Sequence, residues 1–388
     1  MKKITICLAA ACVLFAGTSV AAEEDNISVE YTQETFEEVI PEIEGLTYES
    51  SMELKYAEHF DVHHYNDGYA VIDIYGSARY LVIPEDGMVP ENLPEDMVVL
   101  QKPMDDVYLT ATSIMALYDA LGAMEDIKMT GTQASGWYID CAVEALESGN
   151  MLFAGKYSEP DYELLINENC DLSIQSTMIL HSPKVKEMLE DLGIPVLVEY
   201  STYEQHPLGK PEWVKVFGLL ADKEAEAEAF LEHQEEIISD LEDFQNTEKT
   251  VAYFYVHSNG QIVVREITDY IPGMIELAGG RYIFQAPVID GNTKSTAAIS
   301  MEEFYNAAIN ADYLVYNASI DSPISTVDEL LAKSELFADF KAVKEGNVWC
   351  TGKSMFQSSD KIAEFILDLN HMVTDSDGSD MTFFTKVQ

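Results

Sequence analysis

The amino-acid sequence predicts an α/β protein of two lobes, each with a mostly parallel sheet, joined by one long helix. Its 388 residues exceed the length at which a single hydrophobic core usually stops growing, which favours two lobes. In residues 66–202 and again in residues 248–388, short apolar runs alternate with helical segments, a pattern typical of parallel βα units. Between these blocks, apolar residues recur at helical spacing over residues 211–246.

Residues 1–22 predict an export signal. Two lysines precede an apolar run over residues 4–17, and small residues at 20–22 suit a signal-peptidase site. Alternatively, LAAAC at residues 8–12 resembles a lipoprotein processing site, in which case a lipid would be attached to Cys12. In both cases the mature protein is expected outside the cytoplasm, in the periplasm or at the cell surface.

Residues 23–65 are predicted to form an acidic N-terminal extension, which contains closely spaced glutamates and is irregular from 23 to about 50. The first lobe is expected over residues 66–202. Its predicted strands are at 69–74, 80–83, 98–100, 127–129, 152–154, 172–174 and 196–198, and its predicted helices at 113–121, 139–147, 162–167 and 183–192. Since ligands of such sheets lie beyond the carboxyl ends of the strands, four segments are expected to face a ligand, namely 105–113, 131–138, 155–161 and 175–182.

Residues 203–247 are predicted to connect the lobes, either as one long helix or as two helices joined by a slight bend near Asp222. A single rigid connector permits only small relative motion of the lobes.

The second lobe is predicted over residues 248–388. A strand at 251–256 is expected to turn through SNG at 258–260 into a strand at 262–264. The glycines Gly279 and Gly280 are expected to end the next helix. The remaining predicted elements are helices at 271–277, 301–309, 327–337 and 362–371 and strands at 313–316 and 347–350.

The charge balance excludes some partners. The chain has 22 basic and 69 acidic residues, a formal net charge of −47, so nucleic acid and anionic membrane surfaces would be repelled. It has three arginines, Arg79, Arg265 and Arg281, which leaves few groups for a cage around a highly anionic ligand.

The sequence indicates a binding protein rather than an enzyme, with no resident cofactor. It contains no nucleophile elbow, glycine-rich phosphate loop or HExxH motif. The three cysteines after the signal are widely spaced and predict neither a disulfide framework nor a metal finger. His59, His63 and His64 lie close together without a fourth ligand nearby, so no metal site is predicted there.

Several stretches, in order, resemble the substrate-binding proteins of iron–siderophore, haem and cobalamin ABC importers. They are GKYSEPDYE at 155–163 with NCDL at 169–172, YEQHPLG at 203–209 with Glu212-Trp213, MIELAGG at 274–280, ADYLVYN at 311–317 and GNVWC at 346–350. The resemblance spans about residues 95–372 and implies two Rossmann-like lobes joined by a backbone helix, the type III periplasmic-binding-protein architecture. It also implies a monomer that delivers a small-molecule metal chelate to an ABC importer permease.

Members of that family present one glutamate from each lobe to the permease. The matching positions are Glu163 and Glu276, although each also fits an ordinary solvated position on a helix.

The candidate ligand-binding residues are mostly aromatic with a few polar groups, a composition that suits a flat or bulky chelate. Trp137 and Tyr255 are the foremost candidates, although packing within a lobe explains any single member equally well. The full set is Tyr108, Thr112, Trp137, Tyr138, Tyr157, Thr177, Met178, Tyr203, His206, Tyr255, His257, Arg265, Tyr270, Asn317, Met355, Phe356 and Gln357.

The expected ligand is a ferric siderophore, followed by a corrinoid and then by haem. Haem would need an axial ligand such as Tyr108, Tyr157, Tyr255 or His257. The low arginine content favours a neutral or weakly charged chelate. Two rival functions stay open, a protein that sequesters or senses its ligand and an exported metal-dependent enzyme.

Overall fold

The computed structural model describes residues 39–241, 244–289, 294–374 and 381–388. The predicted export signal, with Cys12, and the first part of the acidic extension lie outside the described residues. The described residues form three major sheets, one ahead of the first lobe and one in each lobe.

The first sheet has five strands in sequential order. Its strands are antiparallel except for the last pair, which is parallel. They are β1 (Tyr48–Ser51), β2 (Phe60–Tyr65), β3 (Ala70–Ile74), β4 (Arg79–Ile83) and β5 (Met97–Gln101).

Strands β1 and β2 lie within the predicted extension, where no strand was predicted. Strand β1 begins at the end of the part predicted to be irregular, and β2 lies beyond it. In β2, Phe60 and Val62 face the core that this sheet shares with the first lobe, while Tyr65 packs on the sheet's other face. The intervening Asp61 and two histidines interrupt the apolar pattern, which is why the strand was missed.

The first-lobe sheet is parallel throughout, with strand order β12-β11-β6-β7-β8. A two-stranded antiparallel hairpin, β9 and β10, lies beside it. The strands are β6 (Val107–Leu109), β7 (Ile127–Thr130), β8 (Leu152–Phe153), β9 (Gly155–Lys156), β10 (Glu159–Pro160), β11 (Leu172–Ser176) and β12 (Val196–Glu199), and the helices are α1 (Thr112–Ala120), α2 (Asp140–Ser148), α3 (Tyr162–Asn167) and α4 (Pro183–Asp191).

Strand β6 was not predicted. The strand predicted at 98–100 was expected to pair with the first helix in a βα unit, but as β5 it belongs to the first sheet. Strand β6 is short, and it follows two aspartates, Asp105 and Asp106, so its apolar signal is weak.

In the described part of the connector, three α-helices replace the one long helix. They are α5 (Gly209–Glu212), α6 (Val214–Leu220) and α7 (Glu224–Ile238). Helix α6 ends where Asp222 adopts a left-handed φ of 56° and the Lys223 amide donates to the Gly218 carbonyl at 2.7 Å. The helix is therefore interrupted near Asp222, as the second alternative expected, but by a turn instead of a slight bend, and a further helix, α5, precedes α6.

The second-lobe sheet is mixed, with strand order β16-β14-β13-β17-β18-β19 and β15 paired to β13. The SNG turn joins the antiparallel β13 and β14 as predicted. The strands are β13 (Thr250–Val256), β14 (Ile262–Arg265), β15 (Arg281–Tyr282), β16 (Thr296–Ile299), β17 (Tyr313–Tyr316), β18 (Val348–Thr351) and β19 (Phe384–Lys386), and the helices are α8 (Tyr270–Leu277), α9 (Met301–Ala308), α10 (Val327–Lys333), α11 (Lys341–Glu345) and α12 (Ile362–Val373).

Both faces of the second-lobe sheet are covered. Along β13, Val251 and Tyr253 pack into one core, and Ala252 and Phe254 pack into the other. This two-sided burial explains the uninterrupted apolar run of β13.

No helix in the described part of the chain is long and apolar enough to cross a membrane.

Candidate functional site

A cleft of about 1010 Å³ lies between the two lobes. The first lobe contributes residues at or beyond the carboxyl ends of its strands, as expected for a parallel sheet. All four segments that were predicted to face a ligand contribute to the lining, through Thr110, Gly131, Tyr157 and Thr177 among others. Pockets for drug-sized ligands usually measure about 300–1,000 Å³, so this cleft has room for a large ligand.

The first-lobe wall is held in place by short polar contacts. The Thr110 hydroxyl donates to the Gln175 side-chain oxygen at 2.5 Å, and the Gln175 amide donates to the Ser173 hydroxyl at 2.7 Å. Gly155 has a φ of +83°, and a Cβ there would lie 2.3 Å from the Glu159 carbonyl oxygen. A glycine is therefore required for the β9–β10 hairpin that presents Tyr157 to the cleft.

The second-lobe wall includes a buried ion pair beside an aromatic ring. Arg265 lies 3.1 Å from Asp269, whose other carboxylate oxygen accepts the Ile271 amide at 2.9 Å and caps helix α8. The Arg265 guanidinium also lies 5.8 Å from the centre of the Tyr253 ring. Tyr270, the first residue of α8, faces the cleft beside this pair.

The end of strand β12 and the start of the connector form the third side of the cleft. Glu199, at the end of β12, is 1% exposed and accepts the Ser201 amide at 2.8 Å. Burial raises the pKa of the Glu199 carboxyl above its usual value, and the nearby positive charge of Lys210 opposes that effect. The Lys210 ammonium lies 4.8 Å from the centre of the Tyr270 ring, a cation–π distance.

One side chain links the two lobes beside the cleft. The Gln357 side-chain oxygen accepts the Tyr138 amide at 2.8 Å, and its nitrogen donates to the Gly136 carbonyl at 2.8 Å. Phe356, which lines the cleft, meets the Tyr138 ring edge-on at 6.3 Å. These contacts join the two lobes beside the cleft, and we call Gln357, Gly136 and Tyr138 the interlobe clasp.

A family model described as periplasmic binding protein matches residues 107–354. The chain belongs to the periplasmic binding protein family. The match begins at the first residue of β6, so the five-stranded sheet β1–β5 precedes it.

A curated relative extends further along the chain. An uncharacterised lipoprotein of Methanocaldococcus jannaschii is 27% identical over 350 residues, covering 81% of this chain and 80% of the relative.

Solved structures of similar fold are matched over almost their full length. One is a possible iron-binding periplasmic solute-binding protein of Staphylococcus epidermidis, with 20% identity, a TM-score of 0.53 and coverage of 69% of this chain and 97% of that chain. Another belongs to an Fe³⁺-hydroxamate transport system of Saccharomonospora viridis. It has 16% identity, a TM-score of 0.53 and coverage of 71% of this chain and 94% of that chain. A third is a periplasmic haem-binding protein of Pseudomonas aeruginosa. It has 16% identity, a TM-score of 0.53 and coverage of 73% of this chain and 95% of that chain. At these identities the likeness shows the fold.

In this member of the periplasmic binding protein family, the cleft lining includes part of the predicted ligand set. The predicted residues that line it are Thr112, Tyr157, Thr177, Met178, Tyr203, Arg265, Tyr270 and Phe356.

Three of the other predicted residues in the first lobe and connector are held by intramolecular contacts. Tyr108 is fully buried, and its hydroxyl donates to the Gly155 carbonyl at 2.7 Å. Trp137 is 5% exposed, and its indole donates to the Thr132 carbonyl at 3.1 Å. The His206 ring stacks on Tyr56 at 4.5 Å, and burial lowers its pKa. These three side chains are absent from the cleft lining.

The remaining second-lobe candidates also lie off the cleft lining. Tyr255 is half-buried near the end of β13, and burial raises its pKa. His257 accepts the Asn259 amide at 3.4 Å in the SNG turn. Asn317 is buried and accepts the Ser319 amide at 3.0 Å, and Met355 accepts the Tyr253 hydroxyl at 3.2 Å.

Sequence reasoning missed Glu199, Lys210 and Asp269. All three are buried charged residues that line the cleft. Lysine side chains are rarely buried. Lys210 is one of only 22 basic residues in the chain, yet it lies among the buried residues of α5. That scarcity was a usable signal.

Both predicted docking glutamates are exposed. Glu163 lies in the first turn of α3, which Asp161 caps by accepting the Leu164 amide at 3.0 Å. Glu276 lies near the end of α8 and accepts the Tyr282 amide at 3.3 Å.

Among the described residues, no group of three or more His, Cys, Asp and Glu side chains is arranged to hold a metal ion. His63 instead shares a hydrogen bond of 2.9 Å with Ser51, and His59 lies 3.2 Å from Glu204.

Proposed function

We propose that this chain is the extracytoplasmic solute-binding component of an ABC importer, and that it carries a ferric siderophore or similar metal chelate in the interlobe cleft. The observation that carries the proposal is the cleft itself, which is large and bounded by both lobes and the connector. Three tyrosines and two phenylalanines line it, Tyr157, Tyr203, Tyr270, Phe153 and Phe356. Aromatic rings on opposing walls suit a bulky chelate that is held by stacking and shape.

The named functions of the similar solved structures support the same ligand classes. An iron-binding protein, a hydroxamate transport protein and a haem-binding protein share this fold. A ferric siderophore remains the first candidate and a corrinoid the second. Haem is the third, and Tyr157, Tyr203 or Tyr270 would supply an axial oxygen from the cleft wall.

Binding is tested with four coloured probes, namely a ferric hydroxamate, a ferric catecholate, cyanocobalamin and haemin. Retention of each probe by the protein on ultrafiltration is measured by absorbance. Tryptophan fluorescence is a poorer reporter, because Trp137, Trp213 and Trp349 are all at most 5% exposed and none lines the cleft. We expect one probe to bind with a dissociation constant of about 1 µM or less.

A matched pair of variants locates the site. Tyr157→Ser removes a ring from the cleft, whereas Tyr48→Ser removes a ring in β1 that is 39% exposed and does not line it. We expect the first change to weaken binding at least about fivefold and the second to change it less than about twofold. Equal effects of the two substitutions would place the ligand elsewhere, and no binding by any probe would remove the metal-chelate assignment.

Delivery to a permease is tested separately from capture. Glu163→Gln and Glu276→Gln remove exposed carboxylates that would pair with a basic partner, and they leave the cleft lining unchanged. We expect the double variant to bind the probe normally and to lose uptake in cells. Undiminished uptake with the double variant would count against docking through these glutamates. A protein that sequesters or senses its ligand would support no uptake even as wild type.

A further inference from the structure

Lys210 places a positive charge inside the cleft. It belongs to α5, at the start of the connector, and only 3% of the residue is exposed. It nevertheless lines the cleft, as do Tyr203 from the connector and Tyr270 from the second-lobe wall. The Tyr270 ring holds its ammonium at 4.8 Å, so the position of the charge is defined even though the side chain is long.

The two carboxylates whose pKa the Lys210 charge lowers, Glu199 and Asp269, are engaged with other donors. Asp269 pairs with Arg265 at 3.1 Å and accepts the Ile271 amide at 2.9 Å, and Glu199 accepts the Ser201 amide at 2.8 Å. Both carboxylates feel the Lys210 charge. Within the described ranges, however, the contact that the Lys210 ammonium makes is with the Tyr270 ring, and neither a hydrogen bond nor an ion pair holds it.

An ammonium group carries three donors, and burying it without acceptors is unfavourable. Because Lys210 faces a cavity, a bound molecule can supply the missing acceptors. Anionic oxygens are the strongest acceptors for such a group. Arg265 lies on the adjoining wall and uses one nitrogen on Asp269, which leaves other guanidinium donors for the same ligand.

We propose that Lys210 binds a carboxylate of the ligand, and that this contact selects metal chelates bearing a peripheral carboxylate over otherwise identical neutral ones. The inference rests on the proposed function and narrows its ligand class. With a net charge of −47, the rest of the surface repels anions, so the buried Lys210, the partly buried Arg265 and the exposed Lys156 make the cleft an exception. One such contact agrees with a weakly charged chelate.

The test uses pairs of probes that differ only in carboxylates. The pairs are ferric N-succinyl-desferrioxamine B and its methyl ester, haemin and its dimethyl ester, and the monocarboxylic acid of cyanocobalamin and cyanocobalamin itself. Dissociation constants are measured for wild type, Lys210→Gln and Lys210→Arg. In whichever class binds, we expect wild type to prefer the carboxylate form at least about tenfold, because a charge-assisted hydrogen bond is lost with the neutral form.

Lys210→Gln should remove most of that preference, with the affinity for the neutral member changed less than about twofold, and Lys210→Arg should retain it. Thermal unfolding of each variant checks that it is folded. Because the comparison of paired probes on wild type needs no variant, a folding defect leaves the test intact.

The outcomes separate the two proposals. If wild type binds both members of a pair equally, or Lys210→Gln weakens both equally, the carboxylate contact is refuted while the solute-binding function stands. If wild type binds neither the six probes nor the ferric catecholate, the metal-chelate function fails and this inference fails with it. If it binds only a ferric catecholate that bears no carboxylate, the carboxylate contact is refuted while the solute-binding function stands.

Discussion

Replacing Glu212 by Gln should detach the segment that links β1 and β2 from the connector. Glu212 is 1% exposed, and its carboxylate accepts three consecutive backbone amides, from Lys55 at 2.9 Å and from Tyr56 and Ala57 at 2.7 Å each. One of its oxygens serves Lys55, and the other serves the remaining two.

The magnitude follows from counting these bonds. In Glu212→Gln the amide nitrogen is best placed towards Lys55, where it faces another donor and one bond is lost. The other two bonds change from charge-assisted to neutral. Losing one bond costs about 1–2 kcal/mol and weakening two costs about 1 kcal/mol each, partly offset because a buried charge is removed. The expected loss of unfolding free energy is therefore about 2–4 kcal/mol.

The measurement is urea unfolding of wild type, Glu212→Gln and a control, Glu228→Gln. Glu228 has a 53% exposed side chain and pairs with Lys215 at 3.1 Å, so its replacement should cost less than about 1 kcal/mol. Limited proteolysis under native conditions should cleave the first variant within residues 52–59. A loss below about 1 kcal/mol for Glu212→Gln, without new cleavage there, would refute this account of the contact.

Two further predictions concern the lobe interface and pH. Gln357→Ala breaks both hydrogen bonds of the interlobe clasp, to Tyr138 and Gly136, so the lobes should separate more often. The bound probe should then dissociate faster in stopped-flow measurements. An unchanged dissociation rate would mean that the clasp does not limit opening of the cleft. Burial raises the pKa of Asp360 to about 6, so the folded protein binds this proton more tightly than the unfolded chain does, and the destabilisation caused by the ionised Asp360 carboxylate should disappear as pH falls from 7 towards 4. Asp360→Asn should therefore be about 2 kcal/mol more stable than wild type at pH 7 and equal to it below about pH 4, and urea unfolding across that range would contradict this if the difference were constant.

Much of the fold was predictable because its local signals agree with one another. Strands such as β13 are buried on both faces and appear as continuous apolar runs, and helix α8 ends at Gly279, whose φ is +78° as a left-handed C-cap requires. The failures have a common cause. Strands β1, β2 and β6 are short or interrupted by polar residues, so tertiary pairing decides their conformation more than local pattern does.

For the cleft, the loops were predictable and many of the side chains were not. Strand order and the position of loops follow from βα alternation, and all four predicted segments reach the lining. Whether a given aromatic residue faces the cleft depends on packing. Trp137 and Tyr157 both follow first-lobe strands, yet the indole of Trp137 turns inwards to Thr132, while the hairpin around Gly155 presents Tyr157 outwards.

The first sheet is structurally tied to the part of the protein that shapes the cleft. Glu212 and Glu204 together accept the backbone amides of residues 55–59, and Glu204 also accepts the Trp213 indole at 2.8 Å. These two glutamates flank Lys210 in sequence, so the contacts that anchor the sheet also fix the segment that carries this lysine. We therefore expect that loosening residues 55–59 would weaken the carboxylate preference of the cleft. A Glu212→Gln variant that loses stability while keeping the full preference of wild type would show that α5 holds its place without the first sheet.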